Sequence, residues 1–174
     1  MPLSTPLTEL LEIEHPVILA PMGMVSGGAL AAAVTGSGGL GMIGAGYGNA
    51  EWLDREFEAA GNARIGIGFI TWSLDKQPEL LDRCLERSPA AVMLSFGDPA
   101  PYIPRIQEAG GKVICQVQSL RDAKAAAAAG ADLIVAQGTE AGGHGASRAT
   151  LPLVPAVVDA VAPLPVAAAG GIAD

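Results

Sequence analysis

The feature that most constrains the fold is a rhythm. Seven short apolar runs, Val17–Ala20, Leu40–Ile43, Ile65–Ile70, Ala91–Ser95, Val113–Val117, Leu133–Ala136 and Pro165–Ala169, alternate with helix-like segments. They recur roughly every 20 to 30 residues, the signature of repeated supersecondary units. Continuous apolar runs of this length suit strands buried on both faces, as in a parallel sheet. The segments between them carry helix signals. Ser26 can cap GGALAAAVTGSG, and Asn49 can cap AEWLDREFEAAG, where Trp52, Leu53, Phe57 and Ala60 share one face and Gly61 stops the helix. Pro78 suits the first turn of a helix reaching about Arg87. Ser119 with Asp122 starts LRDAKAAAAAG in the manner of a capping box. LPLVPAVVDAVA reads as helical with Pro155 in its first turn.

Such βα units, joined by right-handed crossovers, give an α/β fold in one domain spanning residues 1–174. Two architectures compete. A (β/α)8 barrel needs eight units, so this chain supplies a barrel whose eighth unit is missing. An open doubly wound sheet would instead switch strand order near its middle. Every unit here looks alike, and several strands end in glycine or a polar residue, which favours the barrel.

Composition narrows the function. Half of the 174 residues are apolar, enough for a sizeable core. Ten Lys and Arg against 18 Asp and Glu give a net charge of -8 with no basic cluster, which argues against a nucleic-acid partner. Cys84 and Cys115 form no CxxC pair, and the two histidines and two cysteines have no metal-ligand spacing, so no metal site is expected. No apolar run is long enough to span a bilayer and no leader pattern opens the chain, so a soluble cytoplasmic protein without a membrane partner is expected.

The most informative stretch is ADLIVAQGTEAGGHGAS, residues 131–147. It runs from a buried strand through Gln137 into a glycine-rich loop that carries His144. In parallel α/β folds ligands bind at the carboxyl ends of the strands, where Gln137, Gly142, Gly143 and His144 would sit. Each residue also has a plainer reading. His144 alone is most simply a surface histidine in a glycine turn, Glu140 a capping or loop-stabilising carboxylate, His15 a structural residue at the amino-terminal face, and Asp98 a turn residue. Gln116 either finds a neighbouring partner or faces a ligand. Tyr47 and Trp72 either stack on a ligand or pack locally. The alternation of Ile and Gly in Ile65–Gly68 calls for something close to the backbone on the glycine side. GGLGMIGAG does not fit the dinucleotide fingerprint.

Taken together, PVILAPMGMVSGG, GGLGMIGAG, IGIGFITW, LSFGDP, QGTEAGGHG and PVAAAGGIAD resemble the nitronate monooxygenases, FMN-dependent (β/α)8-barrel enzymes. The resemblance covers nearly the whole chain, and QGTEAGGHG is its most specific piece. It implies FMN as cofactor, with Pro21, Met22 and Gly23 against the flavin ring, Gln137, Gly142 and Gly143 as further flavin contacts, and Gly170 and Gly171 as the first half of a phosphate site. His144 would be the catalytic histidine. The implied reaction is oxidation of an alkyl nitronate, or a nitroalkane, by O2 to a carbonyl compound and nitrite. Met22, Met24 and Ile70 would leave room for a short alkyl chain.

The flavin-dependent enoyl-acyl-carrier-protein reductases share the EAGGH segment and the GGIAD strand end, so an FMN- and NAD(P)H-dependent enoyl-thioester reductase is the alternative. A third reading is a non-catalytic barrel fragment. The chain departs from the family in two places. Thr71 and Trp72 stand where relatives keep an Asn, and nothing follows GGIAD, where the family has an eighth strand with a GT-type turn. The sequence is therefore expected to be a piece of a longer protein. Its exposed edge strands would invite pairing with another chain, a homo-oligomer included.

Overall fold

The computed structural model describes residues 3–145 and 147–172. Six parallel strands form one sheet: β1 (Met42–Gly44), β2 (Gly66–Ile70), β3 (Ala91–Ser95), β4 (Lys112–Val117), β5 (Leu133–Gln137) and β6 (Val166–Ala169). Their spatial order follows the chain, β1-β2-β3-β4-β5-β6, with every neighbouring pair parallel. No strand order reverses, which excludes the doubly wound arrangement and leaves the barrel. Helices α2 (Gly28–Gly36), α3 (Ala50–Ala60), α5 (Glu79–Leu85), α6 (Ile103–Glu108), α7 (Leu120–Ala129) and α8 (Thr150–Val161) alternate with the strands.

The first apolar run departs from expectation. Val17–Ala20 is not a full strand, since Ile18 makes only an isolated parallel bridge to Leu40, held by Leu19 N–H to Leu40 O and Leu40 N–H to Val17 O, both 2.9 Å. Pairing stops there for local reasons. Pro21 has no N–H to continue the ladder, and the Ser26 hydroxyl takes the Ala20 carbonyl at 2.7 Å. The Ser26 hydroxyl also accepts from Met22 N–H at 3.2 Å, so Ser26 ties this loop and is not the helix cap. The amino terminus of α2 is held instead by α3: the Gly28 N–H donates to Glu56 Oε2 at 2.7 Å.

The side chains of the strands sort onto two faces. Ile43, Ile67, Val92, Leu94, Cys115 and Ile134 point outward into the layer under the helices. Met42, Met93, Ile114, Leu133 and Val135 point inward, and Leu11 of the short helix α1 (Pro6–Leu11) packs with them at the amino-terminal end. The remaining caps follow the sequence. Asn49 accepts from Trp52 N–H, Ser119 accepts from Asp122 N–H, and Gly61 ends α3. Pro155 does not lie in the first turn of α8 but inside the helix. Its missing hydrogen bond would have gone to the carbonyl of Leu151, and both residues are exposed, so that carbonyl is open to solvent. Three elements have no counterpart in the sequence reading: α1 (Pro6–Leu11), α4 (Thr71–Leu74) directly after β2, and a 3-10 turn at Thr139–Ala141. Among the described residues no helix is long and apolar enough to cross a membrane.

Candidate active site

Each strand delivers its last residues to one end of the sheet. A cavity of about 410 Å³ opens there, lined by the ends of β2 to β6 and by the loops after Ala20, β1, β3 and β5. Pro21, Met22, Gly23, Gln137, Gly142, Gly143 and His144 all line it. Gly170 lines an adjoining cavity of about 470 Å³ that shares Pro21, Gln116 and Ala169 with the first. Gly171 lines neither and stands against the Glu140 side chain, where an added Cβ would lie 3.2 Å from that residue's Cβ. Ala173 and Asp174 of the GGIAD motif lie outside the described residues.

The loop that carries Pro21–Gly23 lies on glycines. A Cβ on Gly68 would meet Pro21 Cγ at 2.3 Å, and one on Gly44 would meet the Met22 carbonyl carbon at 2.5 Å. The close approach expected beside the Ile65–Gly68 strand is therefore the chain's own Pro21. Glycine serves the opposite purpose at positions 142 and 143. Both have positive φ, 73° and 67°, and an added Cβ would meet nothing within 4 Å, so the loop before His144 turns with its backbone open.

His144 sits among aromatics. Its Nε2 lies 3.3 Å from the Tyr47 hydroxyl, its ring stands edge-on to Tyr47 with centroids 6.0 Å apart, and the Phe96 ring is 5.3 Å away. Phe96 reaches that position from a left-handed backbone with φ 62°, a conformation that costs a non-glycine residue about 1 kcal/mol or more. Trp72 packs on Tyr47 at 5.7 Å, and Lys76 Nζ lies 5.1 Å from the Trp72 ring. Sequence reasoning missed Phe96, whose only signal was its place at a strand's carboxyl end. Thr71 is fully buried against Gly97, and its hydroxyl has no hydrogen-bond partner among the described residues.

Polar side chains cluster on the floor. Gln116 and Gln118 both donate to Gln137 Oε1, at 2.8 and 2.6 Å, and Gln118 Nε2 also donates to the His144 carbonyl at 2.8 Å. Gln118 had drawn no attention in the sequence. Glu140 does not point at chemistry: its carboxylate accepts from the Thr150 N–H and hydroxyl, both at 2.8 Å, and thereby caps α8. Bonds from its own backbone N–H and from Thr150 hold its pKa below the ordinary value. Burial pushes both thiols, Cys84 and Cys115, up to about 12, so neither is a nucleophile near neutrality.

The sequence and the fold of this chain have known relatives. The sequence profile of the nitronate monooxygenase family matches residues 4–63 and 60–174. The chain belongs to the nitronate monooxygenase family. That family is flavin-dependent in general. Among its relatives, the nitronate monooxygenase of Pseudomonas aeruginosa is 35% identical over 96% of this chain and 62% of its own length. The (3aS,4S,5R,7aS)-5-hydroxy-7a-methyl-1-oxo-octahydro-1H-indene-4-carboxyl-CoA dehydrogenase of Mycobacterium tuberculosis is also 35% identical, over all of this chain and 50% of its own. FabK from Thermotoga maritima superposes with a TM-score of 0.91 at 37% identity, over 99% of this chain and 56% of that one. The chain thus spans between half and two-thirds of the length of these relatives.

Proposed function

We propose that this chain contributes the flavin-binding and catalytic histidine part of an FMN-dependent oxidoreductase that oxidises alkyl nitronates with O2 to a carbonyl compound and nitrite. The observation that carries the reading is the meeting of His144, Gln137 and the Pro21–Gly23 loop around one cavity of about 410 Å³. That volume lies within the usual range of about 300 to 1,000 Å³ for cofactor and small-molecule sites. Its lining fits a flat heteroaromatic ring: apolar walls from Met22 and Ile70, an open backbone at Gly142 and Gly143, and amide groups at Gln116 and Gln137. Gly170, with φ 119° at the end of β6, borders the adjoining space where a phosphate-bearing tail would run. Bound flavin supplies the electron acceptor and, once reduced, the reductant of O2.

The chain's own residues supply position and charge. An imidazole nitrogen can accept the α-proton of a nitroalkane, and an imidazole N–H can pair with an anionic nitronate oxygen, so His144 carries the acid-base part of the reading. The Tyr47 hydroxyl beside Nε2 is a second polar group at the same place. A second reading, an FMN- and NAD(P)H-dependent reductase of enoyl thioesters, draws on the EAGGH segment and on the fold shared with FabK. Substrate consumption separates them. With propyl-2-nitronate the first reading expects O2 uptake and nitrite release without reduced nicotinamide. The second expects NADPH oxidation that depends on an enoyl thioester and no nitrite.

A further inference from the structure

Gln116 and Gln137, which line the cavity, and Gln118, which bonds to Gln137 from outside its lining, form a chain whose polarity can be deduced. A backbone carbonyl only accepts hydrogen bonds, so the Gln118 atom 2.8 Å from the His144 carbonyl must be the amide nitrogen. That same nitrogen lies 2.6 Å from the Gln137 side chain, so the Gln137 atom it meets must be the oxygen. The Gln116 atom 2.8 Å from that oxygen must in turn be a nitrogen. Both hydrogens of the Gln118 amide are then spent, and both lone pairs of Gln137 Oε1 are filled. On Gln137 itself, the NH2 is what is left to meet a ligand.

We propose that Gln118 is a positioning residue: anchored on the carbonyl of His144, it fixes the direction of the Gln137 amide so that Gln137 turns its N–H donors to the cavity and there meets a hydrogen-bond acceptor on the bound molecule. The same contact ties the His144 loop to the carboxyl end of β4, so the histidine and the amide donor are set by one side chain. The ligand half of this inference rests on the flavin reading above; the polarity half does not.

The test is side-chain amide hydrogen exchange by NMR on the isotopically labelled chain, with signals assigned by Gln118→Ala and Gln137→Ala. In the unsubstituted chain the Gln118 NH2 is expected to exchange more slowly than the Gln137 NH2. The reverse order overturns the inference. Gln118→Glu removes both donors and puts a carboxylate beside the Gln137 oxygen. The Gln137 amide should then turn and its NH2 become protected, whereas an unchanged Gln137 signal contradicts the proposal. Gln118→Met, which has no polar head, should leave Gln137 unprotected in either direction.

FMN titration of the same proteins, read by flavin fluorescence, tests the ligand half. Gln118→Glu should weaken binding about tenfold, the scale of one well-made hydrogen bond. In a Gln137→Ala background it should weaken it no further, because the two side chains act in series. Equal FMN affinity for Gln118→Glu and the unsubstituted chain contradicts the ligand half. Failure of the unsubstituted chain to bind FMN counts against the flavin reading itself, while the exchange order still decides the polarity.

Discussion

At the scale of single residues, His144 and Glu140 lie four positions apart in one loop and do unlike work. His144 stands beside Tyr47 and Phe96 in the cavity, so His144→Asn should lower kcat on nitronate by about 10²- to 10⁴-fold, the usual contribution of general acid-base catalysis. FMN affinity should barely change, and the two quantities are measured on the same preparation. Glu140 holds the start of α8, and its carboxyl pKa is lowered in the folded chain from an ordinary 4.5. A depressed carboxyl pKa stabilises the fold above the unfolded value and loses that contribution as pH falls through the folded one. Melting curves of the native chain and of Glu140→Gln should therefore differ at neutral pH and converge below about 4.5. Parallel curves down to pH 3 would contradict the capping role.

At the scale of elements, the site depends on how closely the Pro21–Gly23 loop can lie against β1 and β2. Gly68→Ala would drive a methyl group into Pro21, and the loop must lift. Overpacking of this kind costs about 1 to 3 kcal/mol, so a stability loss on urea unfolding is expected together with loss of flavin affinity. A variant that binds flavin normally would show that the loop is not needed at its present height. Most elements were legible before the structure because their signals are local. Asn49 and Ser119 cap the helices they precede, and the apolar runs from Leu40 onward become strands in order. What escaped depended on partners distant in sequence. Glu56 caps a helix that begins 28 residues earlier, which freed Ser26 for the loop, and Pro21 supplies the neighbour that the glycines of β2 required. Gln118 matters only because the fold brings it to Gln137 and His144, a meeting that no spacing rule announces.

At the scale of the whole molecule, the sheet is, among the described residues, a barrel open between the Val17–Ala20 segment and β6. Val17 is 56% exposed, and the residues of β6 are mostly half-buried where central strands are buried. Unpaired parallel edges of this kind favour association, and a charge on an edge opposes it. We expect this chain on its own to associate with rising concentration in sedimentation experiments, and Val17→Lys to reduce that association. A strictly monomeric chain at all concentrations would show that the edges are protected in some other way. The parallel strand order was present in the sequence as repetition, and the glycine loop that carries His144 was present as a motif. The weak pairing of the first run was not, because it turns on a proline and a serine hydroxyl that act only once the loop has folded.

Under the proposed function, the cavity beside His144 holds a flavin that accepts electrons from a nitronate. The visible spectrum of the purified chain after addition of FMN, followed by anaerobic addition of propyl-2-nitronate in the same cuvette, tests it most directly. Protein-bound flavin bands that bleach on addition of the nitronate are the predicted result. Bound flavin that ignores the nitronate but bleaches with NADPH, or a chain that retains no flavin at all, would contradict it.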